Sequence, residues 1–110
     1  MEKVTICVGL NDRTTKNQEI TTAAAVDIVN AAIVRYFGFG TVSVVNGVYS
    51  HGDGSNTIVV ETTIKIELTF FDLDKDNTKK TVLPFILELK KVLNQESVYL
   101  DITTVDAYLI

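Results

Sequence analysis

The clearest periodic signal lies at residues 58–71. There Ile58, Val60, Thr62, Ile64, Ile66, Leu68 and Phe70 alternate with Val59, Glu61, Thr63, Lys65, Glu67, Thr69 and Phe71. A period of two sends successive side chains to opposite faces of an extended strand, so one face is apolar and the other mostly polar. Such a segment spans roughly 45 Å at about 3.3 Å per residue. That is more than a compact domain needs, and part of this strand is expected to run past the core.

Three further segments read as strands. In residues 3–10, Val4, Ile6, Val8 and Leu10 share one face, while Thr5, Cys7 and Gly9 on the other are only weakly polar. A strand nearly apolar on both faces belongs in the middle of a sheet. Residues 41–49 are rich in β-branched side chains, and Gly47 within them marks a bulge or a close backbone approach. The turn chemistry of residues 50–56, SHGDGSN, joins this strand to residues 58–71 as a hairpin. In residues 97–102, Val98, Leu100 and Ile102 alternate, and the pattern then slips by one to Val105, Ala107 and Leu109. A slip of one predicts a bulge, a bend or an extra short strand. The apolar end, Tyr108, Leu109 and Ile110, is expected to dock on its own sheet or on a neighbouring subunit.

Two segments carry helical spacing. Residues 20–37 place Ala25, Ile28, Val29, Ala32, Ile33, Tyr36 and Phe37 on one stripe, with Thr21 or Thr22 as cap and Gly38 as stop. Later, Val82, Phe85, Ile86, Leu89, Val92 and Leu93 form a second stripe. Proline fits best in a first turn, so Pro84 predicts a start near residues 81–83, after a charged loop at 72–77, and Asn94 can end the helix.

The order strand, helix, strand, strand, helix, strand predicts an α+β fold of the ferredoxin-like βαββαβ type over residues 1–110 as one domain. It has a four-stranded antiparallel sheet with both helices on one face, a long hairpin between the second and third strands, and an extra C-terminal strand segment. The other sheet face is left bare. It would carry Thr5, Cys7, Val59, Thr63, Thr69 and Phe71, too apolar a set to be wholly wetted. Association of subunits through the sheet, as a homo-oligomeric dimer or trimer, is therefore expected.

Gly38-Phe39-Gly40-Thr41-Val42-Ser43-Val44-Val45-Asn46-Gly47, a turn, Thr62-Thr63-Ile64-Lys65-Ile66-Glu67-Leu68 and an amphipathic helix follow one another. This succession resembles the PII-type signalling proteins. The resemblance implies a ferredoxin-like trimer that binds adenine nucleotides in clefts between subunits and reaches partners with the loop between strands two and three. Here that loop is much shorter, and Lys79 and Lys80 are the only basic residues near the start of the second helix that match the family's phosphate contacts. Asn94-Gln95-Glu96-Ser97-Val98 is also similar to a run in an uncharacterised family of small ferredoxin-like proteins.

Charge narrows the partners. A formal net charge of −4, with dispersed lysines and arginines, disfavours nucleic acid. No apolar run is long enough for a membrane helix, and the N-terminus does not read as a signal peptide. A single cysteine, Cys7, in an apolar run reads as a small core residue and forms no intrachain disulfide. These features predict a cytoplasmic protein, in the host cytoplasm if the gene is viral.

No motif carries a cofactor, a metal or a catalytic centre. Asp72, Asp74 and Asp76 have the opening spacing of a calcium loop, but Asn77 and Leu83 stand where the motif needs glycine and a closing glutamate. His51, the single histidine, lies in a glycine-rich turn beside Ser50 and Asp53, a poor scaffold for a nucleophilic triad. Glu61, Lys65 and Glu67 read as a solvated ladder, or as ligand residues if that face is covered. Arg13 and Lys16, in the polar loop 11–19, are the best recognition groups for an anion.

The sequence thus points to a non-enzymatic oligomeric binding protein that holds a small anionic ligand, such as a nucleotide. Arg13, Lys16, Gly47, Tyr49, His51 and Lys65 are the candidate ligand residues. One alternative is an interaction or inhibitor module, phage-encoded and directed at a host protein. The other is a small enzyme using His51.

Overall fold

The computed structural model describes residues 1–50, 54 and 56–110; the expectations placed on His51 and Asp53 lie outside the described residues. The elements run β1 (Glu2–Gly9), α1 (Thr22–Tyr36), β2 (Thr41–Ser50), β3 (Ile58–Phe70), α2 (Lys75–Val92) and β4 (Tyr99–Thr104). The sheet is antiparallel throughout, in the order β2-β3-β1-β4, with both helices on one face. The architecture is the ferredoxin-like α+β one that the alternation predicts.

The core lies between that face and the helices. Val4, Ile6, Val8, Ile64, Ile66 and Leu68 point into it from the sheet, and Ala25, Val29, Ile33, Val82, Phe85 and Leu89 meet them from the helices. Burying an aliphatic or aromatic side chain stabilises by about 1.5–3 kcal/mol, so this layer dominates folding. Phe37 bridges the helices to the sheet, with ring centroids 5.0 Å from Phe85 and 5.7 Å from Phe70.

Local chemistry sets the helix ends. The Ala24 N–H donates to Thr21 Oγ1 at 3.1 Å, and the chain leaves α1 through Gly38 at φ 82°, a left-handed conformation that glycine adopts without strain. Asp74 caps α2 by accepting from the Asn77 N–H at 2.8 Å. This cap corrects the expected start near residues 81–83. It begins the helix about two turns earlier and leaves Pro84 inside, on the exposed side, where the packing of Val82, Phe85 and Leu89 outweighs the lost amide bond. Asn94 takes φ 48° just past the helix, so it ends α2 as expected.

Two outlying parts of the chain behave differently from each other. The β2–β3 hairpin overhangs the helices, as the length of β3 predicts, and the molecule measures 46 Å along its longest axis. On the overhang Val48, Ile58 and Val60 are 66%, 72% and 59% exposed. The expected C-terminal strand segment is absent. After Thr104 the Val105 N–H still donates to the Met1 carbonyl at 3.0 Å, but residues 105–110 join no strand. Tyr108, Leu109 and Ile110 stand exposed instead of docking on their own sheet, because β4 pairs only with β1 and leaves no neighbouring strand for them to follow.

Candidate functional site

The bare face of the sheet holds an open cleft of about 1050 Å³. Its floor is built from alternate residues of the two central strands, Cys7 and Gly9 from β1 and Val59, Glu61 and Thr63 from β3. β2 adds Gly47, Val48 and Tyr49, and β4 adds Tyr99. Two loops close one end, contributing Asn11, Asp12, Arg13 and Lys16 on one side and Gln95, Glu96 and Ser97 on the other.

Those loops hold each other. The polar loop at 11–19 is exposed but forms an ordered turn. Asp12 Oδ1 accepts from the N–H groups of Thr14 at 2.8 Å and Thr15 at 3.1 Å, and Asn11 bridges Gln18. Asn94 Nδ2 donates to Asp12 Oδ2 at 2.8 Å, and the Arg13 N–H donates to the Asn94 carbonyl at 3.0 Å. Gln95, buried, donates through Nε2 to the Asn11 carbonyl at 2.8 Å and to the Leu93 carbonyl at 3.1 Å. The residues at the end of α2 thereby fix the loop that carries Arg13 and Lys16. The Asn94 amide, with the Thr15 and Thr14 amides, holds the Asp12 carboxyl below its ordinary range.

Glu61 is the central polar group. Its Oε2 accepts from the Asn11 N–H at 2.7 Å. Its carboxylate lies over Gly9, where a side-chain carbon on residue 9 would overlap it. Across β3, a carbon on Gly47 would come within 2.7 Å of Thr63 Oγ1, the hydroxyl that donates to the Glu61 carbonyl at 3.1 Å. Two glycines, one on each strand flanking β3, thus lower the floor on either side of Glu61.

Glu67 and Lys65 do something else. Glu67 takes Lys3 Nζ at 2.9 Å and Lys65 Nζ at 3.6 Å, an exposed ladder in which the Lys3 hydrogen bond chiefly depresses the Glu67 carboxyl. Exposed pairs of this kind stabilise by at most about 1 kcal/mol. Lys65 also reaches toward Cys7, whose thiol is pushed up by burial against the opposing pull of that lysine. A thiol held in its neutral form is a weak nucleophile. At the far side of the floor the Tyr99 phenol is raised, first by its hydrogen bond to Asp101.

Of the sequence-predicted residues, Arg13, Lys16, Gly47 and Tyr49 line this one cleft, Lys65 belongs to the ladder beside it, and His51 lies outside the described residues. Sequence reasoning did not single out Gly9, Asn11 or Tyr99, and it noted Gln95 and Glu96 only within the run 94–98 and not as site residues. The available signal was Glu61 itself, the first charged residue of an otherwise Val- and Thr-rich stretch, with a glycine at the end of the partner strand. Charges in the lining are mixed, with Arg13 and Lys16 against Asp12, Glu61 and Glu96. Among the described residues no group of three or more His, Cys, Asp or Glu is placed to hold a metal ion, and no helix is long and apolar enough to cross a membrane.

No family model matches the chain, and no curated protein matches it. Solved structures do. A phage SAM lyase in complex with S-methyl-5'-thioadenosine aligns with a TM-score of 0.68 at 25% identity, covering 93% of this chain and 79% of that one. A phage SAM lyase in its apo state aligns with a TM-score of 0.69 at 24% identity, covering 93% and 78%.

Proposed function

We propose that the cleft binds S-adenosylmethionine and cleaves it, releasing S-methyl-5'-thioadenosine. The observation that carries this reading is the Glu61 carboxylate, fixed in the cleft floor by the Asn11 amide, on a fold that aligns over 93% of the chain with a phage SAM lyase. S-Adenosylmethionine carries a positive sulfonium, and a fixed carboxylate is the natural counter-charge for it. When the bond from sulfur to the aminobutyrate arm breaks, its electron pair returns to sulfur and gives the neutral thioether. In a lyase no water adds, so the arm closes on its own carboxylate, whose oxygen forms the new bond to carbon as the carbon–sulfur bond breaks.

The lining supplies the remaining contacts. Tyr99 pairs with Cys7, one strand across and two residues along from Gly9, which places it roughly 8 Å from the seat of the Glu61 carboxylate by strand spacing. A nucleobase stacked there leaves the sulfonium near Glu61. Arg13 and Lys16 face the ligand's amino-acid carboxylate, in keeping with their sequence reading as anion-binding groups. The adenine nucleotide implied by the PII-type resemblance is narrowed here to an adenosyl ligand, and its site moves from a cleft between subunits to a cleft on the sheet face of one chain. The overhanging apolar hairpin supports the expected homo-oligomer, and a phage origin and a cytoplasmic location fit a protein that removes a host metabolite.

The test is incubation with S-adenosylmethionine and mass-spectrometric detection of S-methyl-5'-thioadenosine. Release of the thioether is expected, falling at least about 100-fold in Glu61→Gln. Binding of both compounds by calorimetry without release would return the reading to a non-enzymatic sequestering protein. The absence of both binding and release would refute it.

A further inference from the structure

We propose that Gly9 is a positioning residue for the Glu61 carboxylate. The inference rests on the reading of Glu61 above and adds a second determinant, on a different strand, that no charge or motif reveals.

The geometry is specific. Gly9 closes β1 and pairs with Thr63, two residues along β3 from Glu61. The Glu61 side chain therefore runs diagonally back across the strand pair, and its carboxyl group occupies the volume that a β-carbon on residue 9 would fill. In that place Oε2 meets the Asn11 N–H at 2.7 Å. Gly9 has no positive φ among the described residues that take one, so its backbone does not demand glycine. What demands it is the space. The atoms that a methyl group would strike are the far end of a flexible side chain, and that end can swing away at little cost to the fold. An alanine at position 9 would then leave the sheet intact and move the carboxylate.

A merely structural glycine predicts the opposite pattern. Its replacement would lower stability, and any loss of activity would follow unfolding. A positioning glycine predicts that Gly9→Ala and Glu61→Gln act on one and the same contact. Their effects then do not add, because a carboxylate already displaced has nothing left to lose.

The experiment uses the full chain and three variants, Gly9→Ala, Glu61→Gln and the double substitution. Two readouts are taken. The first is the turnover of S-adenosylmethionine, with thermal melting as the control for folding. Gly9→Ala is expected to lower kcat at least tenfold with a melting temperature within a few degrees of the parent, and the double variant is expected to be no slower than Glu61→Gln alone. The second readout is independent of activity. The Asn11 amide proton, observed by NMR, is expected to move upfield in Gly9→Ala, as a donor does on losing a charged acceptor. If the parent protein neither turns over nor binds the compound, the functional reading fails while the NMR readout still decides the role of Gly9. Parent-like turnover with an unmoved Asn11 amide in Gly9→Ala would overturn the proposal, as would losses that multiply in the double variant.

Discussion

The two faces of β1 and β3 are made of neighbouring residues with opposite duties. Val4, Ile6, Val8, Ile64 and Ile66 are fully buried against the helices. Thr5, Cys7, Gly9, Glu61, Thr63 and Lys65 alternate with them and face the cleft side. Because the pleat assigns faces by parity, one substitution addresses one duty. The contrast teaches that the packing that holds the fold and the lining of the cleft can be addressed by separate substitutions, although they share the same backbone.

The sharpest way to break this comparison uses adjacent positions. Ile6→Ala removes a fully buried side chain and is expected to cost about 3–4 kcal/mol. Cys7→Ser, one residue on and on the other face, is expected to cost under about 1 kcal/mol. Urea unfolding of both measures the difference, and comparable losses would show that the cleft face also carries the fold. The next effect has the opposite sign. Pro84 lies within α2 on its exposed side, so Pro84→Ala restores an amide to the helix and is expected to stabilise by about 2 kcal/mol. Ligand binding at the cleft, on the far face of the sheet, should not change. A smaller, associative effect is expected at the overhang. Ile58→Lys should shift sedimentation toward monomer at micromolar concentration with the far-ultraviolet spectrum unaltered, since Ile58 is 72% exposed in the single chain and lies outside the cleft lining.

The fold was legible because its signals are periodic. The alternation of residues 58–71 located β3 and its overhang, and the glycine-rich turn announced the hairpin. The start of α2 was not legible, because the rule for Pro84 outranked Asp74, a cap whose value shows only once Asn77 is seen to donate to it. The cleft was half legible. Arg13, Lys16, Gly47 and Tyr49 are chemically conspicuous and do line it. Glu61 looked like a member of the ladder with Lys65 and Glu67. Nothing local distinguishes an exposed glutamate from one folded over a glycine forty or more positions away. That distinction depends on the register of β1 against β3, a long-range fact that periodicity does not contain.

The smallest expected effect tests whether the cleft's loops can loosen while the core stays closed. Asp12 ties the turn after β1 to Asn94 beyond α2, and its carboxyl titrates below the ordinary value of 3.8 because the Asn94 amide, then the Thr15 and Thr14 amides, favour the charged form. A carboxyl depressed in the folded state takes up protons more readily when unfolded, so its contribution is complete above about pH 4 and fades as pH falls through the folded-state value. The group faces solvent, which keeps the global effect slight. Hydrogen exchange is the more discriminating measurement. Between pH 5 and pH 3, once the intrinsic pH dependence of exchange is removed, the Arg13 and Thr14 amides should lose protection before those of Ile6 and Ile66. Asp12→Asn should abolish that selective loss, because an amide at position 12 has no proton to gain in this range. If all four amides opened together, the loop and the core would be one cooperative unit, and the separation of duties between the two faces would not extend to the ends of the strands.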